Sequence, residues 1–149
     1  MRRMFLTVGV AAMALVGATA CGDDGTPGAS ASADTVAAAT RDACTQATAL
    51  SASAATEFNA KMDEFIKAAL AQDATKSEQL ETEIRAKVTE WEAKLNDLAA
   101  KDIKPEVKTA LSQAAETLKK HNDPSDNASV NEVKAAYVAI ATKISTACA

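Results

Sequence analysis

The chain has 149 residues, of which 36 are alanine and only five are aromatic, and its formal net charge is −4. This length favours a single domain. An acidic chain with so few aromatic side chains lacks the basic, stacking surface of nucleic-acid-binding proteins, so we expect no nucleic-acid partner. The strong helix formers Ala, Glu, Lys, Leu and Gln are abundant and strand formers never cluster, which predicts an all-α protein.

The first 21 residues have the pattern of an export signal. Arg2 and Arg3 precede an uncharged, largely apolar stretch, residues 5–20. This stretch is shorter than the roughly 20 apolar residues of a membrane-spanning helix and suits the core of a signal peptide. The small residues 18–20, Ala-Thr-Ala, come directly before Cys21. This arrangement resembles the lipobox of bacterial lipoproteins.

The resemblance implies a lipid anchor. In that class a diacylglyceryl group is attached to the cysteine sulfur, and a peptidase then cuts just before the cysteine. Carried over here, residues 1–20 are a signal peptide that is removed, and a lipid on Cys21 holds the protein on the outer face of the cytoplasmic membrane. Ala18 stands where the lipobox usually has leucine. The alternatives are a secreted protein cleaved after Ala20 and an uncleaved anchor.

The alanine-rich composition of the whole chain favours an actinobacterial source. The export route is a separate question. Arg2 and Arg3 also resemble the start of a twin-arginine signal, but the general secretory route is favoured because only Met1 precedes them. The choice between the two routes stays open.

Residues 22–35, GDDGTPGASASADT, contain no large apolar side chain. Such a segment has nothing to bury, so it favours a flexible coil over a folded one. We therefore expect a lipid-attached flexible tether over residues 21–35 and a helical domain over residues 36–149.

Four stretches of the domain have apolar residues at spacings of three and four, which predicts four amphipathic helices. The first stretch covers residues 35–71. The second is predicted to begin at a capping box formed by Thr75 and Glu78, in which each side chain bonds the other residue's backbone N–H.

The third helix is predicted to begin at Pro105, and the fourth at a second capping box, formed by Ser129 and Glu132. The short connections favour an up-and-down antiparallel four-helix bundle, with a coiled-coil oligomer as the alternative architecture. The predicted inward faces are Cys44, Ala47, Ser51, Ala54, Phe58, Met62, Phe65 and Ala69; Leu80, Ile84, Val88, Trp91, Leu95 and Leu98; Val107, Ala110, Leu111, Ala114 and Leu118; and Val133, Tyr137, Ile140 and Ile144.

The remaining cysteines, Cys44 and Cys148, are predicted to form a disulfide. Exported proteins meet an oxidising compartment in which free thiols pair. In an up-and-down four-helix bundle, the beginning of the first helix and the end of the last lie at the same end. An odd number of helical crossings would separate the two cysteines by about a helix length, far beyond the roughly 7 Å Cα limit of a disulfide.

No motif for catalysis, metal binding or cofactor binding is found. We expect His121 to interact with the C-terminal dipole of its helix rather than to hold a metal. The segment from Asp123 to Lys134 partly follows a calcium loop. However, Ala128 replaces the turn glycine and Lys134 replaces the bidentate glutamate, so we interpret the segment as a capped loop.

The leading functional hypothesis is a non-enzymatic, lipid-anchored extracytoplasmic module, expected to be monomeric, which binds a protein or an envelope component. The alternative is a carrier of a small apolar ligand in the bundle core. A pocket of roughly several hundred Å³ near Phe58, Met62 and Trp91 would favour the carrier, and an empty, dry interior would exclude it. An enzyme of an unrecognised type is the third possibility.

Overall fold

A computed structural model describes residues 28–149, with side chains from residue 33 onward. Its helices are α1 (Gly28–Leu70), α2 (Ala74–Ala99), α3 (Pro105–Asn122) and α4 (Val130–Ala147). Each helix packs against the next, α4 packs back against α1, and α1 and α3 touch only slightly across the diagonal. This is an up-and-down four-helix bundle, and the predicted fold is confirmed.

Helix α1 is much longer than the others. Its 43 residues compare with 18 in α3, or about 65 Å against about 27 Å at 1.5 Å per residue. It begins at Gly28, inside the segment expected to be a tether, because a helix that has started extends readily through alanine-rich sequence. From residue 33 onward, where side chains are described, Thr40 is the first buried side chain of α1. The predicted signal peptide and the beginning of the predicted tether lie outside the described residues.

The turn between α1 and α2 depends on a left-handed residue. Gln72 has φ 58°. Its N–H donates to the carbonyl of Ala69, and the N–H of Asp73 donates to the carbonyl of Ala68, each at 3.0 Å. This pair of hydrogen bonds is a Schellman motif, in which glycine usually occupies the left-handed position.

Because α1 ends there, α2 begins earlier than the sequence predicted. Asp73 is the N-cap, and its carboxylate accepts a hydrogen bond from the N–H of Lys76 at 3.0 Å. The predicted capping box of Thr75 and Glu78 is therefore wrong, since Thr75 already lies in the first turn of α2. Asp73 is an equally good capping residue, and the chain reversal at Gln72 decides between them.

The predicted beginnings of α3 and α4 are confirmed. Pro105 occupies the first turn of α3, where its missing N–H costs nothing. At α4, the N–H of Ser129 donates to Glu132 Oε2 at 2.7 Å, and the N–H of Glu132 donates to Ser129 Oγ at 3.3 Å. Both halves of this capping box are thus present.

The core follows the predicted faces closely. All six predicted residues of α2 are buried. On α3, Ala115 is buried in addition to the predicted residues, while Ala110 is half-buried. On α1, Ala68 is buried and the predicted Ala69 is exposed, because three residues after Phe65 is the inward position at this point of the helix.

Candidate functional site

A disulfide joins Cys44 and Cys148 and closes one end of the bundle, which we call the disulfide end. Their Cα atoms are 5.6 Å apart although 104 residues separate them in sequence. The structure therefore contains the pairing predicted from the topology. Cys21 lies outside the described residues, so its lipidation stays a prediction.

Polar contacts also link α1 to the connection between α2 and α3 at the disulfide end. Lys101, in the connection between α2 and α3, lies 3.4 Å from the carboxylate of Asp42 on α1. The backbone N–H of Lys104 donates to Thr40 Oγ1 at 3.0 Å. Hydrogen bonds from Gln46 and then from Lys101 lower the pKa of Asp42. The part of α1 around Thr40 and Asp42 is thus fixed to the connection between α2 and α3.

A surface cleft of about 180 Å³ lies between α1 and α2. We call it the α1–α2 cleft. Its walls are apolar in the centre and charged at the edges. The apolar side chains that line it are Leu50, Ala54, Phe58, Ile84, Val88 and Trp91.

The charged edges of the α1–α2 cleft are already paired. Lys61 on α1 donates to Glu83 on α2 at 2.6 Å. Glu90 accepts from Lys94 at 2.7 Å and from Lys87 at 3.5 Å. The hydrogen bond between Lys61 and Glu83 raises the pKa of Lys61 and lowers that of Glu83. The Lys61–Glu83 pair links α1 to α2, whereas both pairs of Glu90 lie within α2. Exposed ion pairs of this kind contribute little stability.

Trp91 packs in the core, as predicted, with 2 % of its surface exposed. Its ring stands edge-on to Tyr137 with the ring centroids 5.7 Å apart. Within the part of the chain that the structure describes, Trp91 Nε1 and Ser51 Oγ are the buried side-chain polar atoms without a hydrogen-bond partner.

A second cavity, of about 130 Å³, lies at the end opposite the disulfide, and we call it the distal cavity. All four helices contribute to it, α3 through its last turn, as does the connection between α3 and α4. Phe58, Ile84 and Val88 line both this cavity and the α1–α2 cleft. The other apolar side chains of the distal cavity include Met62, Phe65, Val130, Val133 and Tyr137, and its polar ones are Glu81, Arg85, His121 and Asn122.

His121 and Asp126 form a close pair beside the distal cavity. Nδ1 of His121 is 2.6 Å from Asp126 Oδ2, and the two side chains are only 11 % and 16 % exposed. The hydrogen bond from His121 is the main reason that the pKa of Asp126 is lowered. His121 lies in the last turn of α3, as expected for a dipole interaction. No pattern in the sequence indicates its hydrogen bond to Asp126.

Arg85 and Asn122 hold the end of α3 against α2. Arg85 Nη1 donates to the backbone carbonyl of Asn122 at 2.6 Å. In return, Asn122 Nδ2 donates to the carbonyl of Arg85 at 3.2 Å and to Thr89 Oγ1 at 3.0 Å. The guanidinium also pairs with Glu81 at 3.0 Å. Arg85 is therefore held in place with its charge balanced.

Tyr137 is the central ring of the bundle. Its ring is edge-on to Phe58 at 4.6 Å, to Trp91 at 5.7 Å and to His121 at 6.1 Å between centroids. Burial raises the pKa of its hydroxyl, so it stays protonated at any ordinary pH.

The segment that partly follows a calcium loop folds as a capped turn. Asp123 Oδ1 accepts from the N–H of Ser125 at 2.8 Å and from its hydroxyl at 2.6 Å. Asp126 Oδ1 likewise accepts from the N–H of Ala128 at 3.3 Å. Over residues 28–149, no group of three or more His, Cys, Asp or Glu side chains is placed to hold a metal ion.

No family model matches the chain, and comparisons with curated proteins and with solved structures return no match. None of the four described helices is both long enough and apolar enough to cross a membrane.

Proposed function

We propose that the protein is a lipid-anchored helical module on the outer face of the cytoplasmic membrane, which binds a protein or an envelope component and is not an enzyme. The observation that carries this proposal is the Cys44–Cys148 disulfide, in a chain whose first 21 residues resemble a lipoprotein signal. Disulfides persist in oxidising compartments outside the cytoplasm. The two features therefore point to the same side of the membrane.

The arrangement of the bundle supports a partner at the end opposite the disulfide. The α1–α2 turn and the α3–α4 connection both lie at that end. Large apolar residues are exposed there, with Leu70 80 % exposed, Ile66 38 % and Val130 37 %. Exposed apolar surface at one place often marks an interaction site.

A crosslinking experiment in intact cells tests this proposal. A photoreactive amino acid is placed at Leu70 and, as the matched control, at Thr48, which is exposed on the same helix near the disulfide end. We expect Leu70 to crosslink to another envelope macromolecule and Thr48 to crosslink much less. A Cys21→Ala variant should lose the product, because the protein is no longer held at the membrane. Products from neither position, or only from pairs of this chain, would contradict the proposal.

A second candidate function is the carriage of a small apolar ligand. The α1–α2 cleft and the distal cavity favour it, because they meet at Phe58 and lie against Met62 and Trp91. Their volumes, about 180 and 130 Å³, fall below the roughly 300–1,000 Å³ of pockets for drug-sized ligands. Each can therefore take only a ligand of about one ring.

A further inference from the structure

We propose that the distal cavity binds a small neutral phenol, a single aromatic ring that carries a hydroxyl group. This inference rests on the carrier candidate and names its ligand class. It is independent of the lipid anchor and of any macromolecular partner.

The size and walls of the distal cavity select one aromatic ring. Its volume is about 130 Å³ and it is partly open to solvent; an enclosed apolar cavity of roughly 150 Å³ holds one benzene ring. Phe58, Phe65 and Tyr137 offer ring faces and edges, and Met62 offers a polarisable thioether. Aromatic and sulfur–aromatic contacts both favour a flat ring over a linear chain.

The polar side chains that line the distal cavity favour a ligand with a hydroxyl group. The carboxylate of Asp126 can only accept, so Nδ1 of His121 carries the proton that lies between them. The other ring nitrogen, Nε2, accepts a hydrogen bond from a ligand hydroxyl when the imidazole is neutral and donates one to the hydroxyl oxygen when the imidazole is protonated. Arg85 uses three of its five N–H donors on Glu81 and Asn122, which leaves donors for the hydroxyl oxygen.

The charges around the cavity select a neutral ligand. Glu81 balances the charge of Arg85, and Asp126 faces His121. A carboxylate ligand would therefore enter a partly buried site with no uncompensated positive charge, which is unfavourable. A protonated phenol brings no charge and both donates and accepts.

The test compares phenol with toluene, which has nearly the same shape but no hydroxyl. Binding of each to the folded protein is followed by chemical-shift changes in two-dimensional amide NMR spectra. We expect phenol to bind about tenfold more tightly than toluene, as one additional net hydrogen bond provides. The largest shifts should fall in residues 121–137.

Variants assign the effect to the cavity and to His121. Val133→Phe fills the cavity and should abolish binding of both probes. The control is Val138→Phe on the same helix, where the native side chain is 54 % exposed. This variant should bind phenol and toluene as the wild type does. His121→Phe keeps a ring in place but removes Nε2, the hydrogen-bond partner of the ligand hydroxyl. Phenol should therefore bind no more tightly than toluene to this variant.

The outcomes distinguish failure of the phenol assignment from failure of the carrier candidate. Equal binding of phenol and toluene would overturn the phenol assignment and leave the carrier candidate standing. No binding of either probe would overturn both. Phenol binding that survives Val133→Phe would place the site elsewhere and overturn the inference.

Discussion

Cys44 on α1 and Cys148 at the end of α4 are covalently joined, with their Cα atoms 5.6 Å apart. The link ties the first helix of the bundle to the last. Many of the core residues on α1 are small alanines, which remove little apolar surface from water. We therefore expect the stability of the bundle to depend strongly on this bond.

Reduction of the disulfide should lower the free energy of unfolding by up to about 4.7 kcal/mol, the value that the chain-entropy model gives for a closed loop of about 100 residues. Urea unfolding with and without a reducing agent measures the change. The double variant Cys44→Ser/Cys148→Ser should match the reduced protein, and Cys21→Ser should behave like the wild type. Identical urea midpoints before and after reduction would contradict the expected contribution.

The N-cap of α2 can be tested by two alanine substitutions. Asp73→Ala removes the side chain that accepts from the N–H of Lys76 and should cost about 1 kcal/mol. Thr75→Ala should leave stability unchanged or raise it slightly, because alanine is the better helix former. Thermal unfolding of the two variants gives the comparison. A larger loss for Thr75→Ala would restore the capping box predicted from the sequence.

The left-handed Gln72 predicts a stabilising substitution. A non-glycine residue at φ 58° costs about 1 kcal/mol or more, so Gln72→Gly should raise the free energy of unfolding by about 1 kcal/mol. As the control, Gln113→Gly in the exposed interior of α3 should lower it by about 0.5–1 kcal/mol. Urea midpoints should therefore move in opposite directions, and a loss of stability in both variants would argue against the left-handed turn.

These cases show what the sequence could predict. The apolar stripe of α2, from Leu80 to Leu98, is clear because each buried position carries a large residue. The end of α1 was predicted at residue 71, within one residue of the observed Leu70. The turn that follows and the cap at Asp73 were missed because Gln72 is not a glycine and gives no signal of a left-handed turn. The beginning of α1 was missed because alanine and serine suit both a helix and a linker.

The candidate site likewise contains one feature that the sequence predicted and one that it did not. The Cys44–Cys148 pair followed from topology, because only two cysteines remained and the bundle brings them to one end. The His121–Asp126 pair joins a helix end to a connecting loop. Its geometry depends on how the chain turns at Asp123, which no spacing rule describes.

The His121–Asp126 pair predicts a pH dependence of stability. The hydrogen bond from His121 lowers the pKa of Asp126 below its ordinary value of 3.8. Stabilisation by such a group is present above its pKa in the unfolded chain and is lost as the pH falls through its lower pKa in the folded chain. Asp126→Asn should therefore be less stable than the wild type at neutral pH, and the difference should shrink below about pH 4.

Urea midpoints measured between about pH 2 and pH 7 check this dependence. His121→Gln removes the main cause of the lowered pKa, so the part of the stability profile that depends on Asp126 should flatten in that variant too. A difference between Asp126→Asn and the wild type that stays constant over the whole range would contradict the account.

The most direct test of the anchored, disulfide-linked module is the intact mass of the protein extracted from its native membrane, with and without reduction and alkylation. We predict a chain that begins at Cys21 and carries a diacylglyceryl group. The thiols of Cys44 and Cys148 should become alkylatable only after reduction. A soluble chain with an unmodified cysteine at its N-terminus would contradict the anchor, and thiols that react without reduction would contradict the disulfide.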